Sequence, residues 1–165
     1  MKKFWIGSTM LVFSLVAIAN SDVPSNRKFT ALLISENPAL AQDASTLTPQ
    51  GKKGIIAFVK YYQRNLVVWR IKTSGLEDVT MAHIHCYPPT GKNGPVGVTL
   101  KPSRNFNNWD RAYGFFMGPD ENNKCGWKTM EDVIQAMSMQ QAYVNVHTKE
   151  QPAGAIRGDI LDIGF

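Results

Sequence analysis

Two short segments, residues 81–86 (MAHIHC) and 142–148 (AYVNVHT), contain all three histidines of the chain. In a β-strand, residues i and i+2 lie on one face, so His83 and His85 are expected to point the same way. His147 lies near the end of the second segment, which also has strand character. If the two strands are neighbours, the three imidazoles converge on one point, and such a convergence is what a copper or zinc site requires.

The N-terminus has the pattern of a secretory signal peptide. Lys2 and Lys3 precede an uncharged, mostly apolar run over residues 4–19, and small residues follow at a spacing typical of cleavage sites. The run is short for a transmembrane helix, which needs about 20 apolar residues. We therefore expect residues 1–21 to be removed, with processing after Ala41 as an alternative. The mature protein is expected to be periplasmic or extracellular, with no membrane attachment.

Residues 22–51 are predicted to be a flexible linker, because Ser, Asn, Pro, Asp, Gln and Thr dominate their composition. A single domain is then predicted over residues 52–165. The net charge of +5 is not concentrated in a dense run of Lys and Arg, so nucleic-acid binding is not expected.

The chain has two cysteines, Cys86 and Cys125. Because disulfides persist in exported proteins, a Cys86–Cys125 disulfide is predicted. Two alternatives stay open at this point: two free thiols, or Cys86 as a metal ligand beside His85.

Most of the domain consists of short apolar runs separated by turn-forming residues, which is typical of strands in an antiparallel sheet. One segment differs, because its apolar residues recur at the spacing i, i+3, i+4, i+7. These residues are Met130, Val133, Ile134 and Met137. The pattern predicts one amphipathic helix over about residues 129–139, with Thr129 as its N-cap. The expected fold is all-β, an antiparallel Greek-key-like β-sandwich or barrel with one short helix.

Four separated segments resemble the signature of the CHRD (chordin-type) domain. They are AHIH at 82–85, GPV at 94–96, YVNVHT at 143–148 and PAGAIRGDI at 152–160. The resemblance covers about residues 53–163 and implies an all-β domain of a type found in secreted and surface proteins. Cys86-Tyr87 replaces the usual Gly-Pro, and Ala155 replaces the usual Glu, so no role of that Glu is carried over.

The chain is also distantly similar to copper/zinc superoxide dismutase. There a His-x-His strand and a later strand histidine supply copper ligands, and a disulfide and an arginine border the site. Arg157 is the counterpart of that arginine here. The dismutase holds copper with four histidines, one of which also bridges to zinc, so three histidines exclude a full bimetallic site.

The favoured functional interpretation is a copper site, or less readily a zinc site, with His83, His85 and His147 as ligands. Tyr143 and Asn145 share the face of His147 by strand alternation and are predicted to support the ligands. No catalytic residue is assigned. Because each ligand must be a neutral imidazole, metal binding is expected to weaken below about pH 6.

Three alternatives remain. The histidines can form a metal-free polar cluster. The domain can be an extracellular interaction module that binds a cell-surface or matrix protein through exposed aromatic residues, for which Tyr87, Trp109 and Trp127 are candidates. It can also be a copper-dependent enzyme of the dismutase type, in which Arg157 attracts an anion. A structural ion pair is the preferred role of that arginine.

The candidate ion-pair partners of Arg157 are Asp110, Asp159 and Asp162. The methionines are interpreted mainly as core residues, with Met130 and Met137 on the apolar face of the helix.

Overall fold

The structure is a computed structural model that describes residues 26–35, 51–87, 93–104 and 109–164. These residues form nine strands and one α-helix. The strands are β1 (Arg27–Ser35), β2 (Lys53–Tyr61), β3 (Leu66–Ser74), β4 (Val79–Cys86), β5 (Val96–Thr99), β6 (Tyr113–Phe116), β7 (Ala142–Thr148), β8 (Ile156–Asp159) and β9 (Leu161–Gly164). The helix α1 (Met130–Ser138) lies between β6 and β7.

All strands belong to one sheet with the order β5-β4-β7-β8-β1-β2-β3-β6, and β9 also pairs with β1. Each of these pairings is antiparallel. The sheet curls into a nearly closed, barrel-like form, so the inner faces of its two halves enclose one hydrophobic core. Over the described residues, the all-β prediction with a single short helix is therefore confirmed.

Helix α1 has the N-terminus that its sequence predicts. The Thr129 side chain accepts a hydrogen bond from the backbone N–H of Asp132, and the Asp132 carboxylate accepts one from the backbone N–H of Thr129. This reciprocal capping box satisfies two backbone donors that the helix itself cannot. The four predicted apolar residues are all buried, which fixes the helix against the core.

Strand β1 corrects the predicted linker. Residues 27–35 lie at the centre of the sheet, paired with β2 on one side and with β8 and β9 on the other. Phe29, Ala31 and Leu33 alternate into the core and are fully buried. The prediction was wrong here because the polar composition of the surrounding residues outweighed this short period-2 pattern.

The domain therefore begins near Arg27 rather than at residue 52. Processing after Ala41 would remove β1 and expose the core, so this alternative does not fit the fold. The predicted signal peptide over residues 1–21 lies outside the described residues. Within the part of the chain that is described, no helix has the length and hydropathy needed to cross a bilayer.

Two neighbouring leucines test the place of β1 in the core. Leu33 is fully buried, whereas Leu32 is 67% exposed on the opposite face. We expect Leu33→Ala to lower the free energy of unfolding by about 2–5 kcal/mol through lost burial and a new cavity. Leu32→Ala is expected to change it by about 0.5 kcal/mol or less. Urea unfolding of both variants measures the difference, and equal effects would contradict the central position of β1.

Candidate metal centre

The position of the histidines follows from the pairing of β4 with β7. Ala82 and Ile84 in β4 are fully buried in the core. Because side chains alternate along a strand, His83 and His85 project from the opposite, outer face of the sheet. In β7, Val144 and Val146 belong to the core in the same way.

The outer face of β7 carries Tyr143, Asn145 and His147. The register places Tyr143 opposite His85 and Asn145 opposite His83. All seven residues of β7 are buried, so both faces of this strand are covered. The structure brings the three predicted histidines together, and their residual exposures are only 5–9%.

Two backbone carbonyl groups fix the orientation of two of the rings. Nδ1 of His85 lies 2.8 Å from the carbonyl oxygen of Gly94, and Nδ1 of His147 lies 2.9 Å from that of Pro152. A carbonyl oxygen can only accept a hydrogen bond, so each Nδ1 carries the proton and donates. When both rings are neutral, Nε2 of each is then an unprotonated nitrogen, which can accept a hydrogen bond or bind a metal ion.

The His83 ring contacts the His147 ring. Nδ1 of His83 lies 3.1 Å from Nε2 of His147, and one nitrogen from each of the three rings lies within 4.8 Å of the others. A four-coordinate ion with metal–nitrogen bonds of about 2.0–2.1 Å holds its ligand nitrogens about 3.3 Å apart. The His83–His147 pair is already close to this spacing.

His85 leaves one buried atom without a partner. Its Nε2 is inaccessible to solvent and makes no hydrogen bond with the described residues. Burying such a lone pair without a partner costs about 1–3 kcal/mol, and an unsatisfied buried polar atom in a native fold calls for an explanation. This nitrogen is a suitable metal donor, since the other side of the ring is anchored by Gly94.

The local electrostatics favour the neutral forms of His83 and His85. Burial is the main cause that lowers the pKa of His83 from 6.5 to about 4, and the neighbouring His147 and His85 lower it further. Burial also lowers the pKa of His85, against the opposing effect of its bond to Gly94. Neutral imidazole is the form that binds a metal, so these rings are prepared as ligands at neutral pH.

Tyr143 supports His85 directly. The two rings stack with a centroid distance of 5.0 Å and an interplanar angle of 12°. The Tyr143 hydroxyl also accepts a hydrogen bond of 2.8 Å from the backbone N–H of Gly94. Gly94 therefore contacts both residues, with its N–H on the tyrosine and its carbonyl on the histidine.

Asn145 holds the turn that covers the site. Its amide donates to the carbonyl oxygen of Ala153 at 3.2 Å, while its Oδ1 is buried without a partner among the described residues. A Cβ at Gly154 would lie 2.5 Å from the Asn145 amide, and the φ of Gly154 is +137°. Only glycine fits here, because both the space and the backbone conformation exclude a larger residue.

Arg157 stacks on an aromatic ring instead of forming the predicted ion pair. Its guanidinium carbon lies 3.7 Å from the centroid of the Tyr143 ring, and its Nη1 donates to Oδ1 of Asn93 at 3.1 Å. The ion-pair prediction is wrong: among the described residues, Arg157 has no salt bridge to any of its three candidate partners. Asp162 instead forms a salt bridge with Arg27, in which Nη2 lies 2.5 Å from Oδ2.

The predicted Cys86–Cys125 disulfide is present, with a Cα–Cα distance of 5.7 Å. The alternatives of free thiols or a cysteine ligand are therefore excluded. The bond ties the end of β4 to the segment that precedes α1. The backbone N–H of Cys86 also donates to the carbonyl oxygen of Pro95 at 3.2 Å, which holds the Gly94 loop close to the histidines.

Sequence reasoning missed several residues of the site. Gly94 and Pro152 act through backbone carbonyls, and only their place in turn-forming segments signals them. Asp120 was also missed. It accepts hydrogen bonds from the backbone and hydroxyl of Thr99, the residue opposite His83, and it raises the pKa of that histidine against the effect of burial.

The aromatic candidates for partner binding are mostly structural. Trp109 is 7% exposed and stacks on Trp69, and Trp127 packs so closely on Gly97 that a Cβ there would overlap its ring. Tyr87 remains exposed, and its hydroxyl donates to Asp159.

The CHRD domain family model matches residues 29–160. The chain therefore belongs to the CHRD domain family, a family of extracellular-type domains. The match begins at residue 29, within β1, in agreement with the corrected domain boundary. No curated protein and no solved structure matches the chain.

The lowered pKa of His83 predicts acid sensitivity of the metal-free protein. Because the folded-state pKa of about 4 lies below the unfolded value of 6.5, the unfolded chain binds the proton first. The contribution of neutral His83 to the free energy of unfolding is complete above about pH 6.5. It is lost as the pH falls through about 4, and the loss is on the order of 3 kcal/mol.

Urea unfolding at pH 7 and pH 4, with a chelator present, tests this expectation against His83→Gln. The variant is expected to lose less stability over this interval than the wild-type protein. An identical pH dependence in both proteins would contradict a buried neutral His83.

Proposed function

We propose that this CHRD domain binds a metal ion, copper in preference to zinc, through His83 Nδ1, His85 Nε2 and His147 Nε2. The two anchored rings, those of His85 and His147, supply unprotonated nitrogens. His83 supplies the third nitrogen after its proton moves to Nε2, because Nδ1 donates to His147 in the metal-free protein. An imidazole set of this kind suits copper and zinc.

The observation that carries this proposal is the buried, unpartnered Nε2 of His85. A metal-free polar cluster accounts for the contact between His83 and His147, which is an ordinary hydrogen bond. It does not account for His85, whose second nitrogen stays unsatisfied at a cost in stability. A bound ion satisfies all three rings at once.

The proposed role is binding rather than catalysis. The chain has three histidines, so it cannot hold the copper–zinc pair of a dismutase, and the surrounding side chains serve to hold the rings and the covering turns. The lowered pKa values of His83 and His85 extend the expected binding range to a more acidic pH than unperturbed imidazoles would allow.

We also infer that the domain acts outside the cytoplasm. The N-terminal segment has a signal-peptide pattern, and the Cys86–Cys125 disulfide is of a kind that persists in oxidising compartments. An extracellular or cell-surface protein is a further proposed partner, in keeping with the family.

Metal content tests the proposal. The protein is produced in an oxidising compartment, supplied with copper or zinc, desalted and analysed by mass spectrometry for metal per chain. We expect about one ion per chain, and less than about a tenth of that in the triple variant His83→Ala/His85→Ala/His147→Ala.

His85→Gln is the matched control, because it removes the unpartnered nitrogen while keeping a neutral polar side chain. It is expected to stay folded by circular dichroism and to lose metal. A folded wild-type protein that retains neither metal would overturn the proposal.

A further inference from the structure

One thioether lies on the same face of the sheet as the histidines. Met81, His83 and His85 alternate along β4, so their side chains project to the same side. The register places Met81 directly opposite His147. Directly opposed residues in an antiparallel pair have Cβ atoms about 4.5–5.5 Å apart, within reach of a long side chain.

A bulge fixes this position. The register between β4 and β7 shifts between Val79 and Met81, so Thr80 is the extra residue. Its hydroxyl donates to the carbonyl oxygen of His147 at 3.3 Å. Bulges of this kind direct side chains beside functional sites, and here the bulge holds Met81 next to His147.

Met81 has no role in the core. It is 45% exposed, whereas Met130 and Met137 are buried on the helix. The histidines beside it are buried, and two of them are anchored by the carbonyl oxygens of covering turns. Met81 is thus exposed to solvent beside three histidines that are themselves buried.

We propose that Met81 Sδ is the fourth ligand of the metal centre and that it selects copper, above all Cu(I), over zinc. The inference rests on the proposed function and names the metal for the same site. A thioether is a soft donor that favours Cu(I), and the unbranched methionine side chain has enough rotatable bonds to turn towards the ion.

A fourth protein ligand also changes what the centre can do. It fills the coordination position that would stay open for a substrate in a three-histidine site. The centre would therefore hold its ion without an open position for a substrate. Because this ligand is the exposed one, it is the natural point at which copper enters and leaves.

Met81→Leu tests the assignment, since leucine keeps the size and apolar character of the side chain. Affinity for Cu(I) is measured anaerobically with ascorbate by competition with a chromogenic Cu(I) chelator, and affinity for Zn²⁺ with a zinc indicator. We expect the Cu(I) affinity to fall at least about tenfold, in line with losses seen when metal-site residues are removed. The Zn²⁺ affinity is expected to change less than about twofold.

Met139→Leu is the matched control, because Met139 is also largely exposed, at 56% against 45% for Met81, but follows the helix. It is expected to leave both affinities unchanged. X-ray absorption of the copper-loaded protein adds a direct readout: a sulfur neighbour in the wild-type protein that is absent in Met81→Leu.

Unchanged Cu(I) affinity in Met81→Leu, with no sulfur neighbour in the wild-type protein, would overturn the role of Met81 and leave the three-histidine site intact. A wild-type protein that binds neither Cu(I) nor Zn²⁺ would overturn the proposed function itself. The two failures are therefore distinguishable.

Discussion

The antiparallel pairing of β4 with β7 is the constraint on which both the core and the site depend. One register places Ile84 and Val144 in the hydrophobic core and, on the outer face, directs His83 towards His147. A slip by one residue would turn every one of these side chains to the wrong face. Hydrophobic burial on one side of the sheet thus fixes the geometry of the imidazoles on the other side.

The cover of the site depends on backbone groups held from several directions. The carbonyl of Gly94 orients His85, while its N–H binds Tyr143. The disulfide at Cys86 and the hydrogen bond to Pro95 keep this loop beside β4. Such anchoring orients the rings in advance, which would reduce the entropy lost on binding the proposed metal.

The sequence allowed a good part of this to be predicted, for physical reasons. Strand alternation placed the histidines on one face, and the 3.6-residue period located α1 within one residue at each end. Strand β1 was missed because its apolar residues form one short run within a longer polar segment, while the strand that pairs with it lies about 20 to 30 residues further on.

Contacts made by backbone atoms were beyond such reasoning, since a carbonyl at Gly94 or Pro152 carries no residue-type signal. The stacking of Arg157 on Tyr143 was missed for a related reason. An arginine near several aspartates suggests ion pairs, but the pleat of β7 and β8 presents it to a ring. Charge alone predicted an aspartate as the partner of Arg157, whereas the strand geometry places its guanidinium group on the Tyr143 ring.

The most direct measurement is a long-range ¹H–¹⁵N NMR spectrum of the histidine rings, recorded anaerobically before and after one equivalent of Cu(I), which is diamagnetic. The account predicts protons on Nδ1 of His85 and His147 in both states. With Cu(I), the metal-bound nitrogens are expected to be His83 Nδ1 and Nε2 of the other two rings. Ring spectra unchanged by Cu(I), or binding of His85 through Nδ1 with loss of its bond to Gly94, would contradict the account.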